Sequence, residues 1–161
     1  MPILAGWREW LSLPGLAIPA IKAKIDTGAR TSALHVFDLE VHTENDLQKV
    51  KFKIHPLQKR TDIVIGCEAT VIDERFVSDS GGHRERRLVI RTPVRLGDRE
   101  WPIEITLANR EEMLFRMLLG RTAMEHNVVI DPRLSYQCGR RLRKAYRTYS
   151  ISLEPSPKKS T

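Results

Sequence analysis

The chain has 161 residues, of which 27 are Lys or Arg and 20 are Asp or Glu, so its formal net charge is +7 at pH 7. This length suits one domain. No apolar run approaches the roughly 18 residues that a membrane-spanning helix needs, so we do not expect the chain to be an integral membrane protein. The N-terminal residues do not resemble a secretory signal, and Cys67 and Cys138 are far apart without a CxxC spacing, so we expect a reducing, cytoplasmic location and no disulfide scaffold.

Short runs of alternating apolar and polar residues, separated by turn residues, predict strands along most of the chain. The clearest run is 18–25, in which Ile21, Ala23 and Ile25 alternate with Lys22 and Lys24. The other predicted strands cover 6–13, 32–43, 50–54, 68–77, 86–96, 101–107, 115–119 and 128–130. This pattern favours an all-β barrel or sandwich over an α/β fold.

Two further segments interrupt the run of strands. The polar, glycine-containing connection at 78–83 predicts a protruding hairpin between two long strands. Gly120 breaks a candidate helix, so we expect an apolar strand before it and a short helix at 122–126.

The positive charge is concentrated at the C-terminal end. Residues 139–161 contain seven basic residues and one acidic residue, which accounts for +6 of the net charge. We therefore predict a domain at 1–138 and a basic, flexible tail at 139–161. Such a tail is able to contact any polyanion, including RNA, without implying specific recognition.

The loop Asp26-Thr27-Gly28-Ala29 follows one apolar strand and precedes another. Its carboxylate is therefore expected on a tight turn at the end of a sheet. Gly28 allows close backbone approach, and the Thr27 hydroxyl offers a hydrogen bond that would hold the loop. A short Asp-x-Gly sequence is also common in purely structural turns, so the loop alone does not establish catalysis.

About ninety residues later, Met117-Leu118-Leu119-Gly120-Arg121 forms an apolar pair and a glycine ahead of the predicted helix. Together the two motifs resemble the retropepsin family of aspartic peptidases. The wider match, over most of 6–136, resembles the bacterial retropepsin-like family labelled ATP-dependent zinc protease, which is associated with a glutamate ligase that modifies a ribosomal protein. The residues that carry it are Gly6-Trp7-Arg8-Glu9-Trp10, 23–35, Leu107-Ala108-Asn109-Arg110, the glycine motif and Asp131-Pro132.

The resemblance implies a closed, mostly antiparallel β-barrel of the acid-protease type with one short helix, and a hydrolase that cleaves peptide bonds. Two carboxylates sharing one proton would activate water, with Asp26, Thr27 and Gly28 as the catalytic loop. One chain supplies one such loop, so the simplest complete site is a homodimer that places Asp26 against its symmetry mate. Asp131 is the alternative second carboxylate within a single chain.

Arginines near these motifs predict an acidic substrate, because guanidinium groups bind carboxylates in a bidentate manner. We expect glutamate-rich peptides or poly-glutamate tails to contact Ala29, Arg30, Arg110 and Arg121. By analogy, Ser80 and Gly81 of the hairpin would close over the substrate as a flap, flanked by Arg84, Arg86 and Arg87. The resemblance also implies association with a ribosomal protein or a glutamate ligase.

We expect no cofactor and no dedicated metal. The sequence lacks HExxH and GxxxxGK[ST], and the possible zinc ligands do not have the local spacing of a familiar zinc site: His35, His42, His55, His83, His126, Cys67 and Cys138. Cys67 lies in an apolar setting that favours a buried structural role over a nucleophilic one. The competing functional class is a non-catalytic peptide- or ribosome-binding module on a peptidase-like scaffold.

Overall fold

A computed structural model describes residues 1–78, 81–109 and 114–147 and confirms a mostly β fold. The strands are β1 (Ile3–Ala5), β2 (Arg8–Leu13), β3 (Ile18–Ile25), β4 (Ser32–His35), β5 (Phe37–Glu44), β6 (Leu47–Ile54), β7 (Ile65–Ser78), β8 (Arg84–Leu96), β9 (Arg99–Ala108), β10 (Met117–Leu119) and β11 (Val128–Ile130). A short helix, α1 (Arg121–Met124), follows β10, and 3-10 turns cover Pro14–Leu16 and Arg141–Lys144. In this described part of the chain, no helix is long and apolar enough to cross a membrane.

The main sheet has the strand order β2-β3-β10-β4-β9-β8-β7-β6-β5, and β1 and β11 form a separate parallel pair. Most neighbours are antiparallel, but β10 is parallel to β3 and β4 is parallel to β9. One further pairing, between Ser12 of β2 and Arg95 of β8, joins strands that are far apart in this order.

The predicted bounds of β3 and β11 are confirmed, whereas the predicted strand 32–43 is two strands. β4 pairs with β9 and β10, while β5 pairs with β6. Between them the chain changes neighbours, and Asp38 has a left-handed φ of 50° where the β5–β6 register shifts. A bulge of this kind bends a strand and redirects it, which alternation of residue types alone does not reveal.

The core lies on the inner face of the main sheet. In β3, Ile21 and Ala23 are fully buried and Ile25 is nearly so, while Lys24 between them is exposed. In β2, Glu9, Leu11 and Leu13 face inward. Burial of each large aliphatic side chain contributes roughly 1.5–3 kcal/mol to folding, so the inward side chains fix the register of the strands that carry the site.

Residues 139–147 of the predicted tail lie against the outer side of β2 and β3. Tyr146 is only 2% exposed, its hydroxyl accepts a hydrogen bond from the Ala20 N–H at 3.2 Å, and it donates one to the Ala20 carbonyl oxygen. Ala20 lies where the β2–β3 register shifts, so the tyrosine bonds to backbone groups at an irregularity of the sheet. Residues 148–161 of that tail lie outside the described residues.

Candidate active site

The Asp26 loop connects β3 to β4, but these two strands are not paired with each other. Instead β10 lies between them, parallel to β3 and antiparallel to β4. The Asp26 N–H donates to the Leu119 carbonyl oxygen at 2.9 Å, so the start of the loop is tied to the end of β10. This threading brings together the two motifs that lie about ninety residues apart in the sequence.

Two hydrogen bonds within the loop hold its conformation. The Gly28 N–H donates to Asp26 Oδ1 at 3.0 Å, and the Ala29 N–H donates to the Asp26 carbonyl oxygen at 3.3 Å. Asp26 is partly buried while Thr27 and Gly28 are exposed. One carboxylate oxygen is thus oriented by Gly28, on a loop whose tip faces solvent.

The start of α1 fixes the far side of the loop. The backbone N–H groups of Arg121 and Thr122 donate to the carbonyl oxygens of Ala29 and Arg30 at 2.7 and 3.0 Å. The Thr122 hydroxyl donates to the same Arg30 oxygen at 2.9 Å. Because both ends of the loop bond to the segment around Gly120, the carboxylate of Asp26 is held on a rigid support.

Ser32 is a supporting residue whose role the sequence reasoning missed. It is fully buried, and its hydroxyl accepts a hydrogen bond from the Gly120 N–H at 3.0 Å. Its carbonyl oxygen accepts one from the Thr106 hydroxyl at 3.1 Å. Thr27, which we expected to hold the loop through its hydroxyl, is exposed and accepts an Arg121 hydrogen bond at its carbonyl oxygen. The available signal was a serine at the start of the run Ser32-Ala33-Leu34, directly after the Asp26 loop.

Gly120 has no room for a side chain. A Cβ at this position would lie 2.5 Å from the Thr31 carbonyl carbon and 2.8 Å from the Ser32 nitrogen, and both are backbone atoms that do not move aside readily. We therefore expect Gly120→Ala to lower the free energy of unfolding by about 1–3 kcal/mol. It should also displace the Asp26 loop.

Urea denaturation would measure this loss. Gly66→Ala is the matched control, because a Cβ added there meets nothing within 4 Å. An unchanged denaturation midpoint for Gly120→Ala would show that β10 and the loop tolerate a wider separation than the backbone contacts indicate.

The structure places the expected substrate arginines as follows. The Arg121 guanidinium donates from Nη1 to the Thr27 carbonyl oxygen at 3.0 Å, so it lies beside the loop. Arg30 is exposed next to it. Arg110 lies outside the described residues.

The predicted hairpin is present as β7 and β8, paired from Val71–Ile90 to Ser78–Arg84. Gly81 is exposed at its tip, and Ser80 is outside the described residues. The hairpin arginines already have local partners: Arg86 contacts Glu74 at 2.9 Å and Arg87 contacts Glu85 at 2.7 Å. These pairs compete with any substrate carboxylate for the same guanidinium groups.

Asp131, the alternative second carboxylate, is bonded within its own turn. Its Oδ1 accepts from the Arg133 N–H and Nε at 3.0 Å each, and its Oδ2 accepts from Arg133 Nη2 at 2.8 Å. The hydrogen bonds from Arg133 lower the pKa of the Asp131 carboxyl below its usual value. An anion stabilised in this way is poorly suited to share a proton with a second carboxylate.

Among the described residues, His42, Glu44 and Glu68 bring potential metal ligands together. His42 Nε2 lies 3.4 Å from Glu68 and 3.7 Å from Glu44, and one ligand atom from each residue falls within 4.8 Å of the others. Glu44 and Glu68 are exposed, and Lys49 and Lys51 occupy the intervening strand. We interpret this group as part of an alternating charge ladder on the sheet surface.

The two cysteines are free thiols. Cys67 is 8% exposed, and burial raises its pKa to about 12. Thiolate is the nucleophilic form of cysteine, so Cys67 is suited to packing and not to nucleophilic catalysis.

The model of the RimB-like family, described as retropepsin-like aspartic endopeptidase RimB, matches residues 4–141 of this chain. A crystal structure of a Legionella pneumophila protein with unknown function (DUF785) superposes with a TM-score of 0.71, covering 86% of this chain and 99% of that one. Its sequence identity is 23%, so it supports the fold.

Curated relatives carry a different name. A protein named "Probable alpha-L-glutamate ligase" from Parasynechococcus marenigrum is 47% identical over 137 residues, covering 85% of this chain and 29% of that protein. The protein of the same name from Desulfotalea psychrophila is 45% identical over 136 residues, covering 84% and 29%. The chain therefore spans less than a third of the length of these relatives.

Proposed function

The chain belongs to the RimB-like family of retropepsin-like aspartic endopeptidases, and from this premise we propose that it hydrolyses peptide bonds with Asp26 as its catalytic carboxylate. The observation that carries the proposal is the threading of β10 between the two strands that flank Asp26. It anchors the loop to Leu119 and α1 while Asp26 Oδ1 is oriented by the Gly28 N–H. Thr27 and Gly28 form the exposed tip beside this carboxylate.

The second carboxylate is proposed to be Asp26 of another copy of the chain. The exposed tip formed by Thr27 and Gly28 is available to a symmetry-related loop, and a two-fold axis makes such an interface self-complementary. Asp131 is less suitable because Arg133 occupies both of its oxygens. We also infer that the main sheet closes through the Ser12–Arg95 pairing into the retropepsin barrel.

In this mechanism the two carboxyls share one proton and act together. The ionised carboxylate takes a proton from water while the water oxygen attacks the peptide carbonyl carbon. The protonated carboxyl gives its proton to the carbonyl oxygen, which forms a tetrahedral diol. The C–N bond then breaks, the leaving nitrogen gains a proton from the dyad, and a carboxylic acid and an amine are released.

The proposed substrate is a glutamate-rich peptide. The Arg121 guanidinium bonds to the loop at the Thr27 carbonyl oxygen, and Arg30 is exposed at the end of the loop, so two arginines are close to Asp26 in the fold or in the sequence. Ala29, Arg110, Ser80 and Gly81 are proposed to complete the contacts. A cytoplasmic location is consistent with the free cysteines.

The test is hydrolysis of an α-linked oligoglutamate, with products identified by mass spectrometry. We expect cleavage that survives a zinc chelator, and no cleavage of an oligoglutamine of equal length. Loss of activity with the chelator would contradict an aspartic mechanism. Equal cleavage of both peptides would support the peptidase and contradict the acidic substrate.

A second candidate follows from the names of the relatives. Because the curated glutamate ligases contain a segment like this chain that makes up only 29% of their length, this domain is a candidate for association with a glutamate ligase or its ribosomal-protein substrate without catalysis. Such a module would bind oligoglutamate and leave it intact in the same assay.

A further inference from the structure

The fold gathers basic side chains from distant parts of the sequence on the outer side of β2 and β3. They line an open groove with a volume of about 550 Å³, and among the described residues no acidic side chain lines it. We call this the outer basic face, and its cationic side chains are Arg8, Lys22, Lys59, Arg60, Arg143 and Arg147. Arg60 is bonded to Asp62, so its charge is partly offset.

Two cations of this face, and the neighbouring Arg140, lie over aromatic rings. The guanidinium carbons of Arg8 and Arg140 lie 4.9 and 4.5 Å from the centre of the Tyr136 ring. Lys22 lies 5.6 Å from the same ring and 5.4 Å from the ring of Trp10. These cation–π contacts restrain long, flexible side chains. Arg8 also lies 4.7 Å from the centre of the Trp7 ring and is held between two rings, whereas the exposed guanidinium of Arg140 offers a planar surface on which a base can stack.

Two hydrogen-bond donors on this groove are buried without a partner. Arg8 Nε and Gln58 Nε2 are inaccessible to solvent and have no hydrogen-bond acceptor among the described residues. Both residues line the groove. Unmet buried donors are costly, so either side chain would gain a hydrogen bond by turning toward an acceptor on an anionic ligand in the groove.

A second groove continues the basic surface on the other side of Trp10, which lines both grooves. It adds Arg95, Arg140 and Arg141, and its described lining contains one acidic residue, Asp98. The cations therefore extend along a surface and are not confined to a single point. This distribution suits a ligand with repeated negative charges.

The paired edges of the strands distinguish between two kinds of polyanion. An extended acidic peptide gains most from an open strand edge, where its backbone can hydrogen-bond. β3 is paired on both sides, with β2 and β10. The second edge of β2 pairs with β8 at Ser12, and near its start the Arg8 carbonyl oxygen accepts a hydrogen bond from the Tyr136 N–H at 3.0 Å. The grooves therefore present mainly side chains and little open strand edge. Basic side chains with interleaved aromatic rings are typical of sites that bind single-stranded nucleic acid.

We infer that the outer basic face and its continuation bind the phosphate backbone of a single-stranded nucleic acid. The inference does not depend on peptidase activity. It differs from binding through a flexible tail, because Arg140 and Arg143 lie on a segment that is held against β3 by the buried ring of Tyr146.

The test measures binding of fluorescently labelled RNA and DNA oligonucleotides of about 15 nucleotides over a series of salt concentrations. We expect the double variant Arg140→Gln/Arg143→Gln to bind about tenfold or more weakly at low salt, with the slope of log K against log salt reduced by about 1.4. Lys51→Gln/Lys53→Gln is the control, since it removes the same charge from the distant strand β6. Equal losses in both variants would overturn the inference.

Two further readouts keep the result specific. In the 15N-labelled wild-type protein, the indole N–H signal of Trp10 should shift on titration with RNA. That of Trp101, which donates to the Ala123 carbonyl oxygen at 2.9 Å, should not. Displacement of the RNA by oligoglutamate at equal charge concentration would identify an acidic peptide as the better ligand and overturn the assignment.

Discussion

Asp26→Asn is expected to reduce hydrolysis of oligoglutamate by at least about 10²- to 10⁴-fold, the range that a positioned acid–base group contributes. Asparagine keeps an oxygen that can accept the 3.0 Å hydrogen bond from the Gly28 N–H, so the loop should keep its shape. What is lost is the carboxyl that ionises and shares a proton. Turnover rates, circular dichroism and oligomeric state should be measured together, because a fall in rate with unchanged structure isolates the chemical role.

Asp131→Asn is the matched control for this prediction. We expect its turnover to remain near the wild-type rate, because Asp131 is committed to Arg133. If Asp131→Asn is as inactive as Asp26→Asn, the two carboxylates of one chain form the site and the dimer is not required.

Mixing the wild-type protein with Asp26→Asn tests the dimer directly. If each site needs Asp26 from two chains, a mixed dimer is inactive and the activity should fall with the square of the wild-type fraction. A linear fall at constant total protein would mean that each chain carries a complete site.

The strands that lie between the core and solvent could be predicted from the sequence because their residues alternate with a period of two. The bounds of β3 followed from this pattern, while the end of β11 was indicated by Asp131-Pro132 and the short helix by the break at Gly120. The two site motifs were also visible, because together and in this order they resemble the retropepsin family. Local patterns of this kind do not specify which strands become neighbours, so the position of β10 between β3 and β4 was not apparent.

The C-terminal segment shows the limit most clearly. Its many charges predict a solvated tail, yet residues 139–147 lie on the sheet because Tyr146 bonds to Ala20 at a bulge. A bulge is a property of two paired strands, and neither strand reveals it alone. Ser32 was missed for a related reason, since its partner Gly120 is 88 residues away.

Glu9 connects the start of the domain to Gln137 and Cys138, just before this C-terminal segment, and its replacement should be the most destabilising change outside the site. It is fully buried. Oε2 accepts hydrogen bonds from the N–H groups of Gly6 and Gln137 at 2.7 and 2.8 Å, and Oε1 accepts one from Cys138 at 3.0 Å. Because each N–H left without an acceptor costs about 1–3 kcal/mol, we expect Glu9→Ala to lower the free energy of unfolding by at least about 3 kcal/mol.

Urea denaturation at pH 7 would measure this loss against Glu100→Gln, a charge-removing change at an exposed position on β9. Such a loss is a large part of the roughly 5–15 kcal/mol that stabilises a typical domain. Denaturation of Glu9→Ala at the same urea concentration as wild type would show that solvent or other groups replace the three bonds.

The milder variant Glu9→Gln tests the charge itself through Cys138. Burial raises the pKa of the Cys138 thiol to about 12, and the nearby Glu9 charge and hydrogen bond add to this shift. Removing the charge should lower that pKa, increase the thiolate fraction at mildly alkaline pH and accelerate alkylation.

Cys67 provides the internal reference, since burial alone raises its pKa to about 12. A downward shift of the pH profile for Cys138 with no shift for Cys67 would establish that the Glu9 carboxylate faces the C-terminal segment. Unchanged pH profiles for both thiols would show that the Glu9 charge does not act on Cys138. The contact between the C-terminal segment and the rest of the domain would then depend on the hydrogen bonds of Tyr146 to Ala20.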